Sequence, residues 1–197
     1  MTKTALIYAG LASTIILTAC SRAEPKQAVM DNPSTPVSAA KVTPTGSSEH
    51  TAYFISNDRA NLGKVVLTRT PKGVSALVEV EGLTPGKHGM HFHETGDCSD
   101  EGFKKSGGHI NPHGHQHGLK NPQGPDNADL PNLVVDENGK ASQRVMNGRI
   151  SFSGEGGRPA LFDEDGSAMI IHANPDDQVT QPIGGAGARV ACAVIKR

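Results

Sequence analysis

Two short segments constrain this chain more than anything else in it: His91-Phe92-His93 and Met169-Ile170-Ile171-His172. On a strand, residues i and i+2 point to one face, so His91 and His93 present two imidazoles side by side. His172 ends a buried-looking apolar run far downstream. Between them lies the run Gly107–Gly118, with His109, His113, His115 and His117. Six positions then matter: His91, His93, His109, one of His113 or His115, His117 and His172. Such distant imidazoles meet only if two strands and a long loop converge. Imidazole suits copper and zinc, and thiolate is nearly absent, so the pattern points to a redox copper site beside a harder ion.

The rest of the chain reads as beta structure. Thr51–Ser56 is a short apolar run; Lys64–Thr70 and Val74–Val80 are β-branched and partly alternating. Pro71-Lys72-Gly73 predicts a hairpin between them, and Gly82–Gly86 a turn before a strand at His88–His93. Asn132–Val135 and Ser142–Met146 flank a second hairpin at Asp136–Gly139, and Ala168–His172 and Arg189–Ile195 are the last strands. Residues 94–130 have little periodicity, and a stretch that long is usually functional or held by ions and cross-links. About eight strands, no helix and no repeat predict an antiparallel sandwich or Greek-key barrel.

A net charge of -1, 4% aromatic residues and no Trp argue against a nucleic-acid surface. Residues 1–19 read as a signal peptide, with Lys3 before an apolar run too short to span a bilayer. The run closes on Leu17-Thr18-Ala19-Cys20, which resembles a bacterial lipoprotein cleavage motif and implies lipid on Cys20. Ordinary secretion with an unmodified Cys20 is the plainer alternative. Residues 20–49, rich in Pro, Ala, Ser, Thr and Lys, read as a disordered tether, and 50–197 as the globular domain. With Cys20 set aside, Cys98 and Cys192 remain as an even pair in an exported protein, where a disulfide is the default.

These motifs resemble the Cu,Zn superoxide dismutase family, in its bacterial extracytoplasmic branch. The resemblance runs from about Thr51 to Lys196 and rests on Gly86–Glu94, on Gly108–Pro112 with His117, on Asp129–Asn132 and on Gly187–Cys192. It implies an eight-stranded Greek-key barrel with long metal-binding loops. It implies copper held by His91, His93, His109 and His172, with His109 bridging to zinc. His117 and Asp129 would be further zinc ligands, and Asp176 would link a copper histidine to a zinc histidine. Cys98 would pair with Cys192, and Arg189 would line the channel to copper. The implied activity converts superoxide to oxygen and hydrogen peroxide by alternate reduction and oxidation of copper, as an antioxidant defence of the cell envelope. The setting is extracytoplasmic, in the periplasm or on the cell surface, with the protein anchored to a membrane by lipid. The sequence leaves monomer and homodimer both open.

The chain departs from the family where a third zinc histidine is expected, three residues before Asp129. Asp126 stands there. Aspartate binds zinc, and the site would then be harder and carry one more negative charge; alternatively His113 or His115 swings in. Residues 173–188 lack the charged steering residues of some members, which leaves Lys104 and Lys105 as candidates or as a plain solvated face. His88 reads as a structural brace. Two other functions remain open at this level: a copper- or zinc-binding lipoprotein without activity, and a copper-only dismutase with a degenerate second site.

Overall fold

The computed structural model of the chain describes residues 48–197. The expected signal peptide, Cys20 and the tether up to residue 47 lie outside the described residues. The described residues form β1 (Glu49–Ser56), β2 (Asn61–Thr70), β3 (Gly73–Glu81), β4 (Gly86–His88), β5 (Met90–His93), β6 (Leu133–Val135), β7 (Lys140–Asn147), β8 (Ser167–His172) and β9 (Arg189–Ile195). Seven of them make one antiparallel sheet in the order β5-β8-β9-β1-β2-β3-β7, and β4 pairs with β6 in a small ribbon. The turn at Asp136–Gly139, expected to close a second hairpin, instead carries the chain from the ribbon to the large sheet, where β7 pairs with β3. The large sheet curls into a Greek-key barrel. Gln143 of β7 ties the ribbon to it, accepting from the Val134 N–H (3.0 Å) and donating to the Asn132 carbonyl (3.0 Å).

Period-two patterning decides which faces are inside. Ala52 and Phe54 of β1, Val65 and Leu67 of β2, and Val74, Ala76, Val78 and Val80 of β3 fill the barrel. Each large side chain buried there contributes roughly 1.5–3 kcal/mol. β8 is buried throughout, because it has apolar neighbours on both faces. Its Met169 and Ile171 join the barrel core, while Ala168 and Ile170 pack outside with Cys98, Phe103 and Cys192. That is why its sequence runs apolar without alternation.

β5 carries the metal-type histidines and lies at the sheet edge. Met90 and Phe92 face the core, and His91 and His93 point the other way, paired with Ile170 and Ala168 of β8. An open edge invites pairing with other chains. Here the long loop covers it: His93 bridges to His109, His91 to Asp129, and the Ile110 N–H donates to the Phe92 carbonyl at 3.1 Å. The loop is pinned at its start by the Cys98–Cys192 disulfide (Cα–Cα 6.0 Å) and by Arg59, which donates to the Cys98 and Ser99 carbonyls.

The strand expected at His88–His93 is broken in two, so the described residues hold nine strands rather than about eight. The break is at Gly89, whose N–H donates to the Asn174 carbonyl (2.8 Å) and whose carbonyl accepts from the His172 N–H (2.8 Å). There the chain leaves the ribbon and enters the large sheet. A Cβ at Gly89 would sit 2.8 Å from the Ala186 Cβ, so only glycine lets the segments approach.

Candidate metal centre

β5 supplies His91 and His93, the end of β8 supplies His172, and the loop laid over them supplies His109, His117, Asp126 and Asp129. Their donor atoms fall into three overlapping groups, each within 4.8 Å. His91, His93 and His172 form the first, a set of imidazoles alone. His109, His117, Asp126 and Asp129 form the third, with two carboxylates. His91, His109 and His117 form the group between, so His91 joins the imidazole set to the mixed set. The His91 and His109 rings lie 4.2 Å apart, centroid to centroid.

Each histidine of the first set is oriented by a hydrogen bond from its other nitrogen, which fixes its tautomer. His91 Nε2 donates to Asp176 Oδ2 at 2.9 Å. His93 Nδ1 donates to the Gly107 carbonyl at 2.9 Å, and His172 Nδ1 to the Gly187 carbonyl at 3.0 Å. His91 Nδ1, His93 Nε2 and His172 Nε2 are left as buried lone pairs without a partner, and so is His109 Nε2. Burial pushes the His91 ring down to about 3 and the His172 ring to about 4, and it holds His93 well below the usual range. These rings are therefore neutral at physiological pH, the state a metal needs.

The mixed set has its own arrangement. Each aspartate spends one oxygen on backbone N–H groups and turns the other toward a histidine. Asp126 Oδ1 accepts from the Ala128 and Asp129 amides (2.8 and 3.0 Å), and its Oδ2 lies 2.8 Å from His109 Nδ1. Asp129 Oδ2 accepts from the Gly118 and Asp126 amides (2.7 and 2.9 Å), and its Oδ1 lies 2.6 Å from His117 Nδ1. Burial opposes charge on His117, yet Asp129 and Asp176 on its two sides raise it to about 10.

Asp176 links the two sets, since its Oδ1 accepts from His117 Nε2 at 3.1 Å while its Oδ2 holds His91. Burial works against that charge, but hydrogen bonds from His117 and His91 keep its carboxyl well below the usual range. Asn132 clasps its backbone, donating to the Asp176 carbonyl and accepting from its N–H, both at 2.8 Å. Gly184, at φ 59°, passes so close to Asp176 that a Cβ there would overlap Oδ1.

An open cleft of about 350 Å³ leads to His93, His109 and His117, with Arg189, His115 and Gln181 on its walls. Arg189 is anchored by the disulfide loop, donating to the Phe103 carbonyl (2.6 Å), to Ser106 Oγ (3.0 Å) and to the Gly107 carbonyl (2.8 Å). Lys104 and Lys105 are exposed on that loop. His88 is buried, its ring nitrogens 2.7 Å from the His172 carbonyl and 2.8 Å from the Thr84 carbonyl.

The middle slot left open by the sequence is filled by neither candidate. His113 and His115 are exposed and belong to none of the donor groups, whereas Asp126 does. Three residues that build the site went unread in the sequence: Asn132, Arg149 and Gln181. Gln181 holds His117 through backbone bonds of 2.9 Å each way. Arg149 donates from Nε to the Asp126 carbonyl at 2.8 Å and from its guanidinium to the Asp129 carbonyl. All three act on main-chain groups distant in sequence, so no spacing announces them.

The donor set fits a pair of metal ions. Four of its ring nitrogens, His91 Nδ1, His93 Nε2, His109 Nε2 and His172 Nε2, are buried without a hydrogen-bond partner, and outside the donor set only Arg69 Nε shares that state among the described residues. Buried polar groups are otherwise nearly always paired.

Residues 61–195 match the family model described as copper/zinc superoxide dismutase. The chain is 50% identical over 147 residues to the Cu-Zn superoxide dismutase of Caulobacter vibrioides, covering 74% of this chain and 84% of that protein. Among solved structures, a double mutant of a SOD-like protein from Bacillus subtilis superposes with a TM-score of 0.73 at 33% identity, over 77% of this chain and all of the other. The Cu/Zn superoxide dismutase from Brucella abortus does so with a TM-score of 0.61 at 30% identity, over 75% of this chain and 99% of the other.

Proposed function

The chain belongs to the copper/zinc superoxide dismutase family and takes copper, zinc and superoxide; we propose how its residues divide that work, and that it does so as a lipoprotein outside the cytoplasm. The observation that carries the division is the set of buried lone pairs. His91 Nδ1, His93 Nε2, His109 Nε2 and His172 Nε2 would hold copper. His109 Nδ1, His117 Nδ1, Asp129 Oδ1 and Asp126 Oδ2 would hold zinc. Bound copper supplies the one-electron couple that dismutation requires, and bound zinc a fixed charge without redox chemistry.

His109 would be the ligand shared by the two ions, although His91 is the ring that joins the donor groups by distance. A bridge needs both ring nitrogens, and His91 has already given Nε2 to Asp176. His109 has Nε2 unpartnered and Nδ1 against the carboxylates. Its Nε2 is then the atom that takes a proton and passes it toward the product. Arg189, held by three loop groups and half-buried, binds and orients the anionic substrate as a fixed cation at the cleft. Arg189→Ala is expected to lower kcat/KM for superoxide about tenfold or more at low ionic strength, with a flatter salt dependence, while metal content stays the same. Arg189→Lys should recover part of the loss. An unchanged rate and salt dependence in Arg189→Ala would remove the arginine from the anion path.

The lipid anchor at Cys20 and the envelope setting rest on the signal-like segment 1–19 and the Cys pair of the domain. A mature protein found in the membrane fraction, and shifted to the soluble fraction by Cys20→Ala, is the expected result. Soluble protein in both cases would leave plain secretion. A homodimer is proposed on the family resemblance alone, and its mass in solution tests it.

A further inference from the structure

Asp126 and Asp129 are 2% and 0% exposed and face the same two histidines. Arg149 is a fixed cation bound to the main chain of both. It stands just after β7 and is half-buried beneath the turn that carries the two aspartates. Its Nε donates to the Asp126 carbonyl at 2.8 Å and its guanidinium to the Asp129 carbonyl. Burial works against its charge, and both carboxylates support it. A second set of bonds staples the two segments together. Asn127 Nδ2 donates to the Arg149 carbonyl (2.9 Å), and Asn147 Nδ2 donates to the Asn127 carbonyl (2.8 Å).

Accepting the zinc assignment above, we propose that Arg149 is a permanent cation beside this acidic pocket, in addition to the His117 ring inside it: it holds the Asp126–Asp129 turn folded through the two carbonyls and offsets the added negative charge of the second aspartate when zinc is not bound. Guanidinium suits the role because it keeps its charge under partial burial and donates in a rigid fork. The arrangement has a thermodynamic consequence. A cation that stabilises the metal-free pocket also opposes a divalent ion entering it. Arg149 is therefore a positioning residue that trades zinc affinity for stability of the metal-free protein.

The test uses the full chain, stripped of metal and then titrated with zinc chloride against a competing chelator, with thermal melts of both forms. Arg149→Met should lower the metal-free Tm by roughly 5–10 °C. It should also bind zinc on the order of tenfold more tightly, so that the gap between zinc-loaded and metal-free Tm widens. Arg149→Lys should keep zinc affinity near that of the parent. With Asp126→Asn in the background, the effect of Arg149→Met on the metal-free Tm should shrink by more than half. An equal fall in both forms would mark Arg149 as packing alone, and weaker zinc binding would mark it as an orienting group only. Either result overturns the proposal. Should Arg149→Met fold only with zinc, the proposal is supported. Should it fold in neither form, Arg149→Lys and the double variant decide. His117→Ala separates this from the site assignment: if it binds zinc like the parent, the zinc assignment falls, whatever Arg149 does to the metal-free melt.

Discussion

Copper- and zinc-loaded protein carrying His172→Ala is expected to lose dismutase activity by more than about a hundredfold while the barrel stays folded. Loss of an outer hydrogen-bond partner of a metal ligand typically costs 10–100-fold in affinity or activity, and His172 is placed to be a ligand itself. Its Nε2 is a buried lone pair among the imidazoles of β5, and the Gly187 carbonyl holds its Nδ1. The fold should survive because the neighbouring bonds are to the main chain. The His172 N–H still donates to the Gly89 carbonyl, and His88 still reaches the His172 carbonyl. The Gly187 carbonyl loses its partner, but it belongs to an exposed residue, where water takes the place of the ring N–H. Superoxide decay, copper content and a thermal melt on the same preparation check this. A folded, copper-loaded variant with parental activity would take His172 out of the site.

Removing the disulfide should produce the largest loss of stability. Cys98 and Cys192 are separated by 94 positions, and closing a loop of that size removes about 4–5 kcal/mol of chain entropy from the unfolded state. Cys98→Ser with Cys192→Ser is expected to lower the unfolding free energy by about that amount, measured by denaturant melts of the metal-free protein. The site should suffer too. The loop from Cys98 supplies the Phe103 and Gly107 carbonyls that hold Arg189, and the Gly107 carbonyl also orients His93. Lower activity per bound copper is therefore expected alongside the stability loss. A change below about 1 kcal/mol would show that the cross-link restrains little in the unfolded chain.

The copper-type residues were legible early because strand geometry is local. A period of two puts His91 and His93 on one face whatever the rest of the chain does. The apolar run Met169–Ile171 marked a strand buried on both sides, and His172 at its end had few places to go. The zinc-type residues were only half legible. His117 and Asp129 stood at family spacing, but the choice among Asp126, His113 and His115 turned on which side chain the loop folds inward. The loop turns Asp126 inward because its Oδ1 caps the turn at Ala128 and Asp129, which leaves Oδ2 facing His109. Arg149 was invisible for a related reason: it recognises carbonyls, and every residue has one. The break at Gly89 was missed because both halves read as strand, and only the approach of Ala186 and Asn174 shows why glycine stands there.

Residue order alone settled most of the strands, the hairpin at Pro71–Gly73 and the histidines that would share a face, since these depend on periods of two and on turn chemistry within a few residues. Packing between distant segments decided which nitrogen of each histidine is free, which carboxylate oxygen turns inward, and how the disulfide loop grips Arg189. Those outcomes rest on carbonyls and amides brought together across up to about 90 residues of chain, and a hydrogen bond of 3 Å has no signature in residue order until the fold has placed both its ends.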